Sequence, residues 1–142
     1  MKTKKYLFIS ILVLLCACYN DDDNAEPTGP NVSNQIFNTW DLGIILENNQ
    51  IIDDFPCEDD LEYTFNSNGT YTKIQFTTDA TDNCVEATSI NGNWQAIDDN
   101  VLLLTPFSSS FNEETLELSL RNSNNQLQIV RSANLTELYD KD

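Results

Sequence analysis

Histidine is absent from the 142 residues. Its absence removes the commonest general base near neutral pH and the commonest zinc or haem ligand. Glycine and proline are scarce, four of each, which excludes a collagen-like repeat and a wholly disordered chain. Basic residues are few: seven Lys and Arg stand against 23 Asp and Glu, for a net charge of −16. So acidic a chain is repelled by phosphate backbones, and nucleic acid is excluded as a partner. No apolar run reaches the roughly 20 residues that a membrane-crossing helix needs. There is no Gly-rich phosphate loop, and Ser108 to Ser110 form a loop without a base in reach. With 23 acids, carboxylate pairs arise by chance, so a glycosidase-type pair carries little weight. These absences point to a non-enzymatic protein without cofactor or metal.

What is present begins with an address. Lys2, Lys4 and Lys5 precede a ten-residue apolar run, Tyr6 to Leu15, of the size of a signal-peptide core. Leu15-Cys16-Ala17-Cys18 follows, with Leu three before Cys18 and a small residue directly before it. This resembles the bacterial lipoprotein box, with residues 1–17 as signal peptide and Cys18 as the lipidated residue. An ordinary secretory signal with a chance Cys is the rival. Asp21-Asp22-Asp23 then resembles the acidic surface-export signal of lipoproteins in the Bacteroidota; a solvated linker reads the same way, since like charges extend a chain. Residues 18–34, with Pro27, Gly29 and Pro30, form a flexible tether. Removing the signal takes away three of the seven basic residues and none of the 23 acids, so the balance moves from −16 to −19. Anionic headgroups repel such a body, and the lipid must hold it at the membrane. The expected location is the outer membrane, lipid-anchored and exposed at the cell surface.

Two cysteines remain, Cys57 and Cys84, in an exported chain. They allow one intramolecular bridge in an oxidising compartment. The closed loop of about 28 residues stabilises by roughly 3.5 kcal/mol on the chain-entropy model. A pair of free reactive thiols is the rival reading, but the neighbours of Cys57 are Asp53, Asp54, Glu58, Asp59 and Asp60, which disfavour a thiolate.

From Phe37 onward the apolar period is two. Trp40, Leu42, Ile44 and Leu46 share one parity, and Tyr63 and Phe65 alternate with polar residues. Asn68-Gly69 joins the Tyr63 strand to Thr70–Thr77 and is a strong hairpin signal. Val85 to Ile90 is the next run, broken at a second Asn-Gly, Asn91-Gly92, and continued by Asn93 to Ile97. Asp98-Asp99-Asn100 turns into Val101–Thr105, which Pro106 ends. Leu116, Leu118 and Leu120 alternate with polar residues, Asn122 to Asn125 turn the chain, and strands follow at Gln126–Arg131 and Leu135–Tyr139. A short helical stretch is expected only at residues 34–37. Turns about every ten residues predict an up-and-down, closed, all-β sheet.

The order of these elements is specific. A Trp-x-Leu strand (Trp40, Leu42) is followed by Cys57 and its acids. Next come a Tyr-x-Phe strand ending in Asn68-Gly69-Thr70-Tyr71, then Cys84, Gly92-x-Trp94, and Leu102-x-Leu104. Over about residues 34 to 139 this resembles the small lipocalin-like domains of lipoproteins in the Bacteroidota. The resemblance implies a small eight-stranded antiparallel barrel with one disulfide over residues 35–142. It departs from the wider lipocalins in having Asn38, not Gly, two before the first-strand Trp.

Candidate sites follow. Trp40, Tyr63, Phe65, Tyr71 and Trp94 either line a pocket for a small apolar molecule or form plain core. Arg131 shares parity with Leu127 and Ile129; in lipocalins a late-strand Arg packs over the first-strand Trp, so the resemblance pairs it with Trp40. The alternative is an exposed Arg. Asp53, Asp54, Glu58, Asp59, Asp60 and Glu62 offer oxygens for Ca²⁺, but they lack loop-motif spacing and read better as a solvated hairpin, so no metal is expected. Short strands favour a filled barrel. The expectation is a monomeric, surface-anchored binding protein for a small apolar molecule. The alternative is an accessory domain with a filled barrel whose outer surface meets a protein or a glycan.

Overall fold

The structure, a computed structural model, describes residues 32–52 and 56–142. The signal peptide, Cys18, most of the tether, Asp53 and Asp54 lie outside the described residues. Nine strands follow in chain order: β1 (Asn38–Glu47), β2 (Gln50–Ile52), β3 (Leu61–Phe65), β4 (Thr70–Thr78), β5 (Cys84–Asp98), β6 (Val101–Pro106), β7 (Glu114–Arg121), β8 (Gln126–Ser132) and β9 (Leu135–Lys141). Each of β3 to β8 pairs antiparallel with the next, and β9 returns to pair with β1. Seven strands and β1 thus close an eight-stranded antiparallel barrel, as the sequence predicts. The short β2 adds no stave. It pairs with Ile45–Glu47 of β1 on the edge whose other half, Asn38–Asp41, pairs with β3.

β2 is a strand that the sequence reading lacks. Asn48 and Asn49 turn into it with φ of 53° and 63°, positive at both central positions as a tight primed hairpin requires. At the other ends Gly69 takes φ 83°, and Asn122, Ser123 and Asn124 all take positive φ. Asn tolerates this geometry better than other side-chain-bearing residues, which explains why it supplies most of the turns.

Three expectations are corrected. The first concerns Asn91-Gly92, which is not a turn: β5 runs through it for 15 residues. Gly92 is there for space. A Cβ would lie 2.3 Å from the Thr105 carbonyl oxygen and 2.6 Å from Cε1 of Tyr71, whose ring fills the place a side chain would need. The second concerns β1, where Ile44 and Leu46 do not share the inward face of Trp40. Leu42 pairs with Tyr139 and Ile44 with Leu138, which leaves Gly43 as a bulge. The extra residue moves the inward parity to Ile45, which packs on the core, and to Glu47. The third is the short helical stretch, a single 3-10 turn at Val32–Asn34. It places Val32, on the tether side of the expected boundary, and Ile36 against the core.

The core fills one half of the barrel. Trp40, Tyr63, Phe65, Leu102, Leu104, Leu116, Leu118, Leu127, Ile129, Tyr139 and Ile36 are all at most 2% exposed. Burying each Leu or Ile contributes about 1.5–3 kcal/mol relative to leaving it in water. The indole Nε1 of Trp40 donates to the Ile36 carbonyl at 2.8 Å, so the chain segment ahead of β1 plugs this end. The final residues close it further: Asp142 N–H donates to Thr39 O and Lys141 N–H to Asn125 O. The chain therefore enters at the plugged end, where β1 starts, β3 ends and β9 ends.

Candidate functional site

Among the described residues, the other end of the barrel is open. A cavity of about 410 Å³ lies there. Its half-buried walls are Ile45 from β1, Ile52 from β2, Leu61 from β3, Gln75 from β4 and Leu135 from β9. Its exposed rim is Glu47, Pro56, Glu58 and Asp59, and buried Glu137 forms its floor. The Gly43 bulge creates this end, because only after the parity change do Ile45 and Glu47 point inward.

One wall is held by the disulfide. Cys57 and Cys84 are bridged, with Cα atoms 5.4 Å apart. A 3-10 turn, Cys57–Asp59, carries Cys57 across the end of β4 to the start of β5. Glu58 fastens the same turn, accepting from the Thr78 N–H at 3.2 Å and from the Thr77 hydroxyl at 3.4 Å. Backbone and hydroxyl hydrogen bonds hold its carboxyl below the usual range.

Below the cavity a polar layer separates it from the core. Lys73 Nζ donates to Glu114 Oε2 at 2.9 Å. Arg131 Nη1 meets the other Glu114 oxygen, and its Nε donates to Glu137 Oε2 at 2.7 Å. Arg131 Nη2 donates to the Tyr63 hydroxyl at 2.9 Å, and the Tyr139 hydroxyl donates to Glu137 at 2.7 Å. Two cations and two carboxylates balance. Among the described residues no buried side-chain polar atom lacks a partner. Burial pushes both tyrosine hydroxyls up, so they stay neutral hydrogen-bonding groups. Burial also acts to raise Glu114, but the hydrogen bond and charge of Lys73, with Arg131, hold it lower than usual.

The residues singled out in the sequence fall in different places. Trp40, Tyr63, Phe65 and Tyr71 are core, and none of them lines the cavity. Trp94 sits at the plugged end, its Nε1 donating to Asn66 O at 3.1 Å and its ring 5.9 Å from that of Phe37. Arg131 points inward, but its aromatic partner is Tyr63, 5.9 Å from the ring centroid, not Trp40. Alternation with Leu127 and Ile129 carries it inward, at the register shift between Val130 and Ser132. Of the acidic cluster, Glu58 and Asp59 reach the rim, while Glu62 lies opposite Asp41 on the barrel exterior. Among the described residues no group of three acidic or cysteine side chains is placed to hold a metal ion.

The sequence reading misses Lys73, Glu114, Glu137 and Tyr139. The signal exists for Lys73 and Glu114. Lys73 shares parity with Tyr71 and Gln75, and Glu114 with Leu116 and Leu118, so each is a charge at an inward position, Lys73 within β4 and Glu114 at the start of β7.

No protein-family model matches the chain, and no curated protein matches it. Two solved structures are similar. One is a lipocalin-like protein from Bacteroides uniformis, 12% identical, with a TM-score of 0.53, covering 76% of this chain and 99% of that one. The other is an uncharacterized protein from Bacteroides eggerthii, 10% identical, with a TM-score of 0.50, covering 75% of this chain and 99% of that one. At such identities the likeness is one of fold. The chain has the lipocalin-like fold, an eight-stranded antiparallel closed barrel carrying one disulfide, like that of its neighbour from Bacteroides.

Proposed function

We propose that this chain is a non-enzymatic binding protein, anchored by a lipid on Cys18 and displayed at the cell surface, that takes a small molecule into the cavity at the open end of its barrel. One observation carries the reading: the cavity lies at the end of the barrel opposite the one where the described chain enters at Val32. β1 begins at the plugged end with Asn38, reaches the cavity at Ile45 and ends at its rim with Glu47, nine residues on. At about 3.3 Å per residue, the strand sets the two ends roughly 30 Å apart along its length. A body tethered at its closed end presents its mouth away from the membrane. The volume lies within the range of small-molecule sites, and the aliphatic walls suit an apolar portion of a ligand. The ligand site is thus at the mouth, while the aromatic residues serve as core.

The filled half of the barrel favours a second reading, an accessory domain that meets a protein or glycan on its outside. Native mass spectrometry of the chain purified from its own host separates the two. The mouth reading expects a co-purifying small molecule that is lost on Leu135→Trp, which fills the cavity. A parent protein that carries no small molecule, or a bound mass that Leu135→Trp leaves in place, overturns it.

A further inference from the structure

The lining of the mouth is one-sided in its chemistry. Among the described residues, every charged side chain in it is an acid: Glu47, Glu58 and Asp59 at the rim and Glu137 at the floor. The walls between rim and floor are aliphatic, from Ile45, Ile52, Leu61 and Leu135, apart from the neutral amide of Gln75. The two cations of the polar layer, Lys73 and Arg131, are spent on Glu114 and Glu137 and do not line the cavity. An anion entering this mouth would meet carboxylates with no cation facing it among the described residues. A bare metal ion would find no cluster of acids close enough to coordinate it, among the described residues. What fits an aliphatic pocket with dispersed carboxylates around its rim is a single positive charge on an apolar body.

We infer that the mouth binds a small organic cation with an aliphatic tail, a primary or secondary alkylammonium by class. The tail lies along Leu61, Leu135 and Ile52, and the ammonium lies at the rim beside Glu47 and Asp59. This rests on the mouth being the ligand site. Two physical effects favour the arrangement. The tail leaves water for the aliphatic wall. The cation also moves into a concave region of one charge sign, with low-dielectric walls that focus the field. The strongly acidic body adds long-range attraction that salt screens, whereas contacts inside the mouth are screened less.

The test uses three probes of equal chain length, n-octylammonium, n-octanol and n-octanoate. They are titrated calorimetrically at pH 7 into the full chain carrying Cys18→Ser, at low and at physiological salt. The expected order is octylammonium tightest, at least tenfold over octanol, with octanoate weakest, and the order holds at physiological salt. Glu47→Gln with Asp59→Asn is expected to reduce the octylammonium preference to below threefold while octanol binding stays. Asp98→Asn with Asp99→Asn, an equal loss of charge at the far end of β5, is expected to leave the preference intact. Ile52→Trp, on a strand outside the core, is expected to abolish binding of octylammonium and octanol alike. Octanol binding as tightly as octylammonium overturns the cation inference and leaves the mouth as a ligand site. Octylammonium binding that survives Ile52→Trp places the cation on the outer surface and also overturns it. Binding of none of the probes removes both readings.

Discussion

Arg131 reaches across the barrel interior to Tyr63, donating from Nη2 to the phenolic oxygen at 2.9 Å while its guanidinium carbon lies 5.9 Å from the ring centroid. A β8 residue is thereby tied to β3 through the floor of the mouth, across strands that share no hydrogen bonds. Glu114 of β7 and Glu137 of β9 hold the same guanidinium. Arg131→Met should leave both carboxylates partly buried without their shared cation. We expect a loss of about 2–3 kcal/mol, at the lower edge of values for broken buried pairs because these groups keep some solvent contact. Urea denaturation measures it. The double variant Arg131→Met with Glu114→Gln should lose less than the sum of the single variants, and strict additivity would show that the pair is not coupled.

Stability should peak on the acid side of neutral. Asp41 is raised by burial and then by the negative charge of Asp142, and Glu62 is raised by burial and by Asp41 and Asp142. Asp41 lies opposite Glu62 on β3 and Asp140 on β9, like charges directly across strands. A raised carboxyl favours the folded state when protonated, so lowering the pH from 7 towards its folded pKa adds stability. Glu114 is lowered, so its contribution is present above its unfolded value near 4.5 and is lost as the pH falls through the folded value. Melting temperature followed from pH 7 to pH 3 should therefore rise and then fall. Asp41→Asn should flatten the rise. A monotonic fall from pH 7 in the parent would contradict this account.

Gly92→Ala should destabilise strongly although glycine is a poor strand residue. The added methyl would meet the Thr105 carbonyl at 2.3 Å and the Cα of Pro106 at 2.8 Å, both backbone atoms that cannot step aside. A loss of about 2–3 kcal/mol is expected from overpacking. Tyr71→Leu, which removes only the ring contact, should not rescue it. A Gly92→Ala protein as stable as the parent would mean that β5 and β6 shift apart freely.

The Cys57–Cys84 bridge should be stabilising but dispensable for the barrel. It closes 27 residue steps, worth roughly 3.5 kcal/mol on the chain-entropy model. The barrel is closed by β1 with β9, not by the bridge. Reduction should lower the melting temperature and leave the far-ultraviolet β signal intact. The same treatment should weaken any mouth ligand, because Glu58 and Asp59 hang on the bridged turn. Loss of all β signal on reduction would show that the core does not stand alone.

Cys18→Ala should release the protein from the membrane fraction. Replacing Asp21, Asp22 and Asp23 by Ala should keep it membrane-bound but hide the body from protease added to whole cells. Retention of Cys18→Ala in the membrane fraction would remove the anchor assignment, and unchanged protease access would remove the export signal.

Much of the barrel is legible in the sequence because strands write their faces into alternate residues. Trp40 with Leu42, the Tyr63 and Leu116 runs, the Asn68-Gly69 hairpin and the Asn122–Asn125 turn all stand where alternation and turn chemistry place them. Alternation misleads where a single residue is inserted. The Gly43 bulge turns Ile45 and Glu47 inward, and nothing local to Leu42-Gly43-Ile44 distinguishes it from continuous strand. Asn91-Gly92 misleads for the opposite reason: a dipeptide suited to a turn is used for the space its missing side chain leaves to Tyr71.

The candidate site is less legible than the fold. Hydrophobic period, turn residues, charge and cysteine placement are local properties of the chain, and they suffice for an acidic, closed β-barrel with Cys57 and Cys84 available to bridge. The mouth is assembled from β1, β2, β3, β4, β9 and the turn at Cys57, residues up to 92 positions apart in sequence, from Ile45 to Glu137. Which inward side chains pack as core and which line open space depends on the stagger between strands and on where the chain plugs the barrel. Trp40 and Tyr63 become core because Val32 and Ile36 close their end, whereas Leu61 and Leu135, no less apolar, line a cavity because no segment covers theirs among the described residues. Packing is a property of the surroundings, and those surroundings exist only once the barrel has closed.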